Sequence, residues 1–168
     1  RRYASWDELV DYCMYSAAPV GQYLLDLHGG STDGYEPSDA LCIALQVINH
    51  LQDCQEDYRE MDRVYVPEDM LAEAGARVED LDRPHASPAL RKVLDQMLDR
   101  TDALLTIADR LPAGLRSKRL AMESATIVNI AHALVARLRK QDPLAMRVAL
   151  PKPVYIWCGV RGVASVLL

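Results

Sequence analysis

The sequence has no phenylalanine, although it holds 8 tyrosines and 2 tryptophans. Any π face that this chain brings to a binding pocket must therefore come from tyrosine or tryptophan, or else from sequence outside it. No run of 18 apolar residues and no signal-peptide pattern is present, so the sequence predicts neither a membrane-spanning helix nor a secretory leader. The four cysteines, at 13, 42, 54 and 158, form no C-x-x-C pair and have no histidine at zinc spacing. That excludes a disulfide framework and a zinc ribbon, and predicts a reduced cytoplasmic compartment. Positive charge is not in excess: 19 Lys and Arg stand against 24 Asp and Glu, for a net charge of −5. The chain has no electrostatic footprint for nucleic acid. An acidic protein that handles phosphate must use metal ions or local arginine clusters, for which Arg59, Arg63, Arg116, Lys118 and Arg119 are candidates.

Alternating strand patterns, internal repeats and low-complexity tracts are also missing, and what remains is helix. Apolar periodicity predicts a first helix from Trp6 to about Leu27, capped at Ser5 and kinked near Ser16–Ala17 by Pro19. Gly29–Gly30 stops it, and a turn-rich loop over 31–37 follows. Ser38 or Asp39 caps a second helix to about Asp62. Pro67 opens a short helix that Gly75 ends. A charged loop over 76–86 leads to a third long helix from Ser87–Pro88 to about Leu111, closed by Pro112 and Gly114. Ser117 begins a fourth, to about Lys140. It is apolar around most of its girth and expected to be central, with Glu123, Asn129 and His132 as interior polar groups. Pro151-x-Pro153 precedes a last apolar helix, Tyr155–Leu168, too short to span a bilayer. Docking on the bundle is the preferred role for it, with contact to a membrane surface or continuation past residue 168 as the alternatives. The fold class is all-α, a helical bundle in one domain over residues 1–168.

The chemistry concentrates in 46–67. Read at roughly 100° per residue, Gln46, Asn49, His50, Asp53, Asp57 and Glu60 share one helical stripe. Leu45, Val47, Ile48 and Leu51 flank it, which places its N-terminal half inside the protein. Buried carboxylates are paired or bind metal. Two aspartates one turn apart, backed by amides, suit Mg²⁺, which takes one or two carboxylates together with phosphates and water. Spacing alone carries little weight, since three Asp-x-x-x-Asp pairs occur where chance placement supplies about 1.5. Asp95/Asp99 lie opposite the apolar row of their helix and read as a solvated face. Asp7 lies with Glu8 at a helix start, where acids favour the dipole. Only Asp53/Asp57 shares its face with amides in an apolar setting.

Two stretches resemble the signatures of the squalene and phytoene synthase family. Tyr12-Cys13-Met14-Tyr15-Ser16-Ala17-Ala18-Pro19-Val20-Gly21 is similar to the first, and Gln46…Asn49…Asp53-x-x-Glu56-Asp57…Arg63-x-Tyr65-x-Pro67 to the second. Ser16–Gly21, Leu25-Asp26-Leu27-His28-Gly29 and Asn49–Asp53 look most like the hydroxysqualene synthases of bacterial hopanoid pathways. The resemblance implies an α-helical bundle of the terpenoid (prenyl) synthase type, whose two facing aspartate-rich motifs bind Mg²⁺ around a substrate diphosphate. It assigns metal binding to Asp53, Asp57 and Asn49, and catalysis to Tyr12, Asp53 and Asp57. It assigns substrate contacts to Gln46, Asn49, Val20, Gly21 and Arg63. Two departures stand out: Gln52 occupies a position where relatives often carry arginine, and Pro19 replaces a small or apolar residue. The first aspartate-rich motif should lie well upstream of Tyr12 and is missing, so the chain looks like the C-terminal part of such an enzyme.

The resemblance implies Mg²⁺-dependent ionisation of a prenyl diphosphate, with presqualene diphosphate going to hydroxysqualene. The alternative is head-to-head condensation of farnesyl or geranylgeranyl diphosphate. A non-catalytic scaffold would be expected to lose the metal carboxylates, which are kept here. A carboxylate-bridged di-metal bundle needs Glu-x-x-His pairs, and none exists. The 168-residue piece alone is expected to be inactive, and an apolar wall left open predicts self-association into a homo-oligomer.

Overall fold

A computed structural model describes residues 1–28 and 32–168; the expected stop at Gly29–Gly30 lies outside them. The described residues form α1 (Trp6–Ser16), α2 (Ala18–Leu27), α3 (Tyr35–Gln52), α4 (Cys54–Met61), α5 (Glu68–Ala74), α6 (Pro88–Ala108), a single turn α7 (Leu111–Gly114), α8 (Lys118–Leu138) and α9 (Lys152–Leu167). Short 3₁₀ turns cover Thr32–Gly34 and Val78–Asp82. No strand occurs among the described residues, so the all-α expectation holds.

Local chemistry accounts for most boundaries. Ser5, Ser87 and Ser117 accept hydrogen bonds from the backbone N–H of Glu8 (3.3 Å), Leu90 (3.1 Å) and Leu120 (3.3 Å), capping α1, α6 and α8. Gly75, at φ 72°, closes α5 in the left-handed conformation that glycine adopts freely. The kink expected before Pro19 is a full break at Ala17. Pro19 then falls in the first turn of α2, where its missing N–H leaves no helical bond unmade. The second helix starts a turn earlier than expected, at Tyr35, with Ser38 buried rather than capping. It also breaks at Asp53 (φ −105°, ψ 8°), which ends α3 and begins α4. α9 begins at Lys152 rather than Tyr155 because Pro153 is tolerated in its first turn.

α3 is the organising helix and packs against α1, α2, α6 and α8. Its Ala44, Val47, Ile48 and Leu51 meet Leu9, Leu90, Leu94, Leu98 and Leu105 in one core. The α2–α3 crossing is close: a Cβ on Gly21 would stand 2.8 Å from Cys42 Sγ and nearer still to Ser38 Oγ. Residues 1–4 run along 64–69, with Val64 N donating to Arg1 O (3.0 Å), Glu68 N to Tyr3 O (2.9 Å) and Asp69 N to Ala4 O (3.1 Å). These bonds deliver Tyr3 to the core, where it is fully buried.

α8 is buried along one face only, through residues such as Ala121, Val128, Ala131 and Leu138. Ile127 points outward, and Glu123 lies on the surface, where Arg119 pairs with it at 3.0 Å. The expectation of an interior Glu123 is therefore corrected: an adjacent arginine one turn back holds the carboxylate in solvent. His132 is hydrogen-bonded to Asp109, yet it is half-exposed and outside the core. α9 docks on α8, burying Cys158 and Gly162. A Cβ on Gly162 would lie 2.6 Å from Thr126 N, which marks the closest approach of the two helices. Ile156, Trp157, Val160 and Leu167 remain exposed. No helix among the described residues is long and apolar enough to cross a membrane.

Candidate functional site

The stripe read from the sequence survives the break in its helix. Asp53 N donates to Asn49 O (3.0 Å) and Asp57 N donates to Asp53 O (2.8 Å), so the turn-to-turn register runs through the α3–α4 junction. Gln46 is half-buried and His50 buried, Asp53 and Asp57 are half-buried, and Glu60 is exposed. Asn49 is exposed, against the expectation that the whole N-terminal half of the stripe lies inside. The packing surfaces of α3 flank that position on either side and leave it outward.

Neither Asp53 nor Asp57 has a hydrogen bond or ion pair from its carboxylate to the protein. Burial first, and the Asp53 charge second, hold the Asp57 carboxyl above its ordinary value, while Arg63 opposes them. A divalent cation would relieve both effects. No cluster of three or more His, Cys, Asp or Glu suited to a metal exists among the described residues. The donor set is two carboxylates with the amides of Asn49 and Gln46 nearby. That set fits an ion which takes its remaining ligands from phosphate and water, as Mg²⁺ does.

Beside the acids lies an aromatic cluster. The His50 ring stacks on Tyr65 with centroids 3.4 Å apart and planes within 7°. Tyr12 follows at 6.2 Å from His50 and 6.4 Å from Tyr65, and Tyr3 packs 5.5 Å from Tyr12. The Arg1 guanidinium sits over the Tyr12 ring at 4.5 Å, so this face already accommodates a cation. Burial pushes the Tyr3 phenol up to about 12 and His50 down to about 4, which keeps the imidazole neutral near pH 7. Gln46 Nε2 lies 3.3 Å from His50 Nε2. Arg63 lowers the pKa of both Asp57 and Tyr65, partly offsetting their burial, and so connects the acid pair to the cluster.

Sequence reasoning found Tyr12, Arg63 and Tyr65 but missed what His50 and Tyr3 do. His50 was visible only as a member of the stripe, and Tyr3 carried no signal because a long-range backbone pairing brings it in. The remaining residues fall in three places. Val20 is exposed on α2, in the same apolar face as Tyr23, Leu24 and Leu27. Gly21 is buried at the α2–α3 crossing. Gln52 Nε2 donates to Val148 O at 2.6 Å, which ties the segment after α8 to the end of α3. Arg147, adjacent to Val148, has no ion-pair partner.

Two of the arginine candidates are engaged elsewhere: Arg59 with Asp82 at 2.6 Å and Arg119 with Glu123. Arg116 and Lys118 lie at the start of α8 without an ion pair. The other acid pairs are as expected. Arg91 binds Asp95, Arg139 holds Asp99 at 2.7 Å, and Asp7 and Asp11 are exposed beside a Glu8 that accepts from Ala4 N at 2.6 Å.

The squalene/phytoene synthase family model matches residues 1–154. The chain is 49% identical over 153 residues to the hydroxysqualene synthase of Rhodopseudomonas palustris, a match covering 91% of this chain and 52% of that protein. It is 48% identical over 147 residues to the hydroxysqualene synthase of Zymomonas mobilis, covering 88% and 50%. The structure resembles the crystal structure of squalene synthase HpnC from Alicyclobacillus acidocaldarius with a TM-score of 0.78 at 35% identity, over 83% of this chain and 53% of that one. A dehydrosqualene synthase, at TM-score 0.87 and 20% identity over 98% of this chain and 59% of that one, shares the fold. The chain spans about half the length of the curated relatives it matches, 52% and 50%.

Proposed function

Because this chain belongs to the squalene/phytoene synthase family, we propose that the full-length protein ionises presqualene diphosphate and delivers hydroxysqualene and diphosphate. In that reaction the C–O bond to diphosphate breaks, the oxygen of a water molecule joins the carbocation, and the water gives up a proton. The observation that carries the reading is a half-buried aspartate pair, without protein partners, on the face that also bears Gln46 and Asn49. Asp53, Asp57 and Asn49 would hold Mg²⁺, which when bound takes up the charge of the departing diphosphate. Gln46 and Arg63 flank the pair and orient the phosphate end. Arg147, brought near by the Gln52–Val148 bond, supplies positive charge where relatives often carry arginine at the Gln52 position. Tyr12 offers its π face to the cation, in support of which Arg1 already stands against that ring. Val20 and the apolar side chains around it receive the prenyl chain, and Gly21 sets the distance between α2 and α3.

This assignment makes the chain the C-terminal portion of one helical domain, to be completed by a second acid-rich helix from outside it. The outward apolar side chains of α9 suit contact with a membrane surface, where such a substrate and product would reside. The test is turnover by purified full-length protein with Mg²⁺. Presqualene diphosphate should yield hydroxysqualene and diphosphate, and the 168-residue chain alone should yield neither. Consumption of farnesyl diphosphate with no action on presqualene diphosphate overturns this reading in favour of condensation. Normal turnover after loss of both aspartates would favour a reaction that does not use this face.

A further inference from the structure

A cleft of about 600 Å³ opens between α8 and α9, with Asp109, Asn129, His132, Trp157 and Arg161 on its walls. None of its lining residues belongs to α1–α5, and Trp157 and Arg161 lie past residue 154, where the family match ends. Its polar groups divide into two sets. His132 Nε2 is 2.9 Å from Asp109 Oδ1, so the acid of the cleft is engaged by its own neighbour. The side chains of Arg161 and Asn129 have no hydrogen bond or ion pair with any of the described residues. Arg161 shares the cleft with Asp109 and still forms no ion pair with it. α9 carries no acidic residue that could satisfy the guanidinium from its own helix. The apolar part of the lining comes from the same helix: Trp157, one turn before Arg161, is 65% exposed, and Val154 is half-buried.

We propose that this cleft is a second ligand site, which binds the phosphate group of an ester carried on an apolar chain. The Arg161 fork and the Asn129 amide donate to the phosphate oxygens, and Trp157 and Val154 cover the first carbons of the chain. A planar guanidinium presents paired N–H donors matched to a phosphate, and a volume of this size is within the range of small-molecule sites. Two sources share this chemistry: a prenyl phosphate, and the headgroup of a phospholipid in a membrane on which α9 rests. The site does not depend on the acid pair or on the reaction assigned to it.

Tryptophan emission of the full-length protein reads this site, because Trp157 is exposed while Trp6 is buried, and the Trp157→Tyr variant isolates the Trp157 signal. Octyl phosphate should give a saturable blue shift that octanol does not reproduce. Arg161→Ala should weaken the apparent affinity about tenfold, and Asp53→Asn should leave it unchanged. Equal affinity in Arg161→Ala, absence of a shift, or loss of the shift in Asp53→Asn overturns the proposal. The last result would place the ligand at the acid pair instead, and would leave the reading of that pair intact. Two further arms identify the source. Farnesyl monophosphate binding more tightly than octyl phosphate, in an Arg161-dependent way, points to a prenyl ligand. Arg161-dependent sedimentation with phosphatidylglycerol vesicles, and not with phosphatidylcholine vesicles, points to a lipid headgroup.

Discussion

Asp53 and Asp57 stand one turn apart at the α3–α4 junction, and Asp95 and Asp99 stand one turn apart on α6. On α6 each acid meets an arginine. Arg91 binds Asp95 and reaches the Leu138 carbonyl at 3.0 Å, while Arg139 takes Asp99 at 2.7 Å and Asp102 at 2.5 Å. The acids there fasten α6 to the end of α8. At the α3–α4 junction no arginine closes on either carboxylate, and Arg63 acts on Asp57 only through its field. Identical spacing thus serves two purposes, and the partner on the neighbouring element decides between them. An acid pair already neutralised by protein has little to offer a cation. One left half-buried and unneutralised gains most from binding one.

Substitution at both sites separates the two regions most sharply. Asp53→Asn or Asp57→Asn in the full-length protein should lower kcat on presqualene diphosphate by at least about 10²-fold, whereas Asp95→Asn should change it by less than about twofold. Equal losses, measured as diphosphate release, would erase the distinction.

The second contrast is pH dependence. His50, beside the acid pair, is held at about 4, below its ordinary 6.5. The unfolded chain therefore takes up a proton near pH 6.5 that the folded protein refuses until about pH 4. Stability is complete above the unfolded value and falls as pH drops through that window, by up to about 3 kcal/mol. Urea unfolding of the wild type and of His50→Leu between pH 7 and pH 4.5 reads this directly. The difference in stability between the two should shift across that range, and a pH-independent difference would mean that water reaches the imidazole.

The smallest effect belongs to α6. Asp99→Asn removes one arm of an exposed ion pair and should cost about 0.5 kcal/mol or less. A loss of several kcal/mol in the same unfolding measurement would show that this acid pair does more than fasten two helices.

How much of this was legible depends on the range of the interaction. Ser5, Ser87 and Ser117 were readable as caps, and Gly75 as a helix end, because a cap is made within three or four residues. The periodic stripe of Gln46, Asp53 and Asp57 was readable for the same reason. The His50–Tyr65 stack was not, since it joins α3 to a segment that has turned back after α4. Nor was the engagement of Arg59 by Asp82, 23 residues away. Glu123 looked interior because the residues around it are apolar, yet a single arginine one turn back keeps it on the surface.

From its order of residues alone this chain was committed to long helices and to an acid-and-amide face on one of them, because helical periodicity and capping are local properties of the backbone. Tertiary structure decided which acids would remain without a partner and which rings would line up beside them. It also decided that an arginine on the last helix would face a cleft with nothing of its own to bind. Those outcomes depend on which side chains approach within a few ångströms across distant elements, and spacing along the chain does not contain that information.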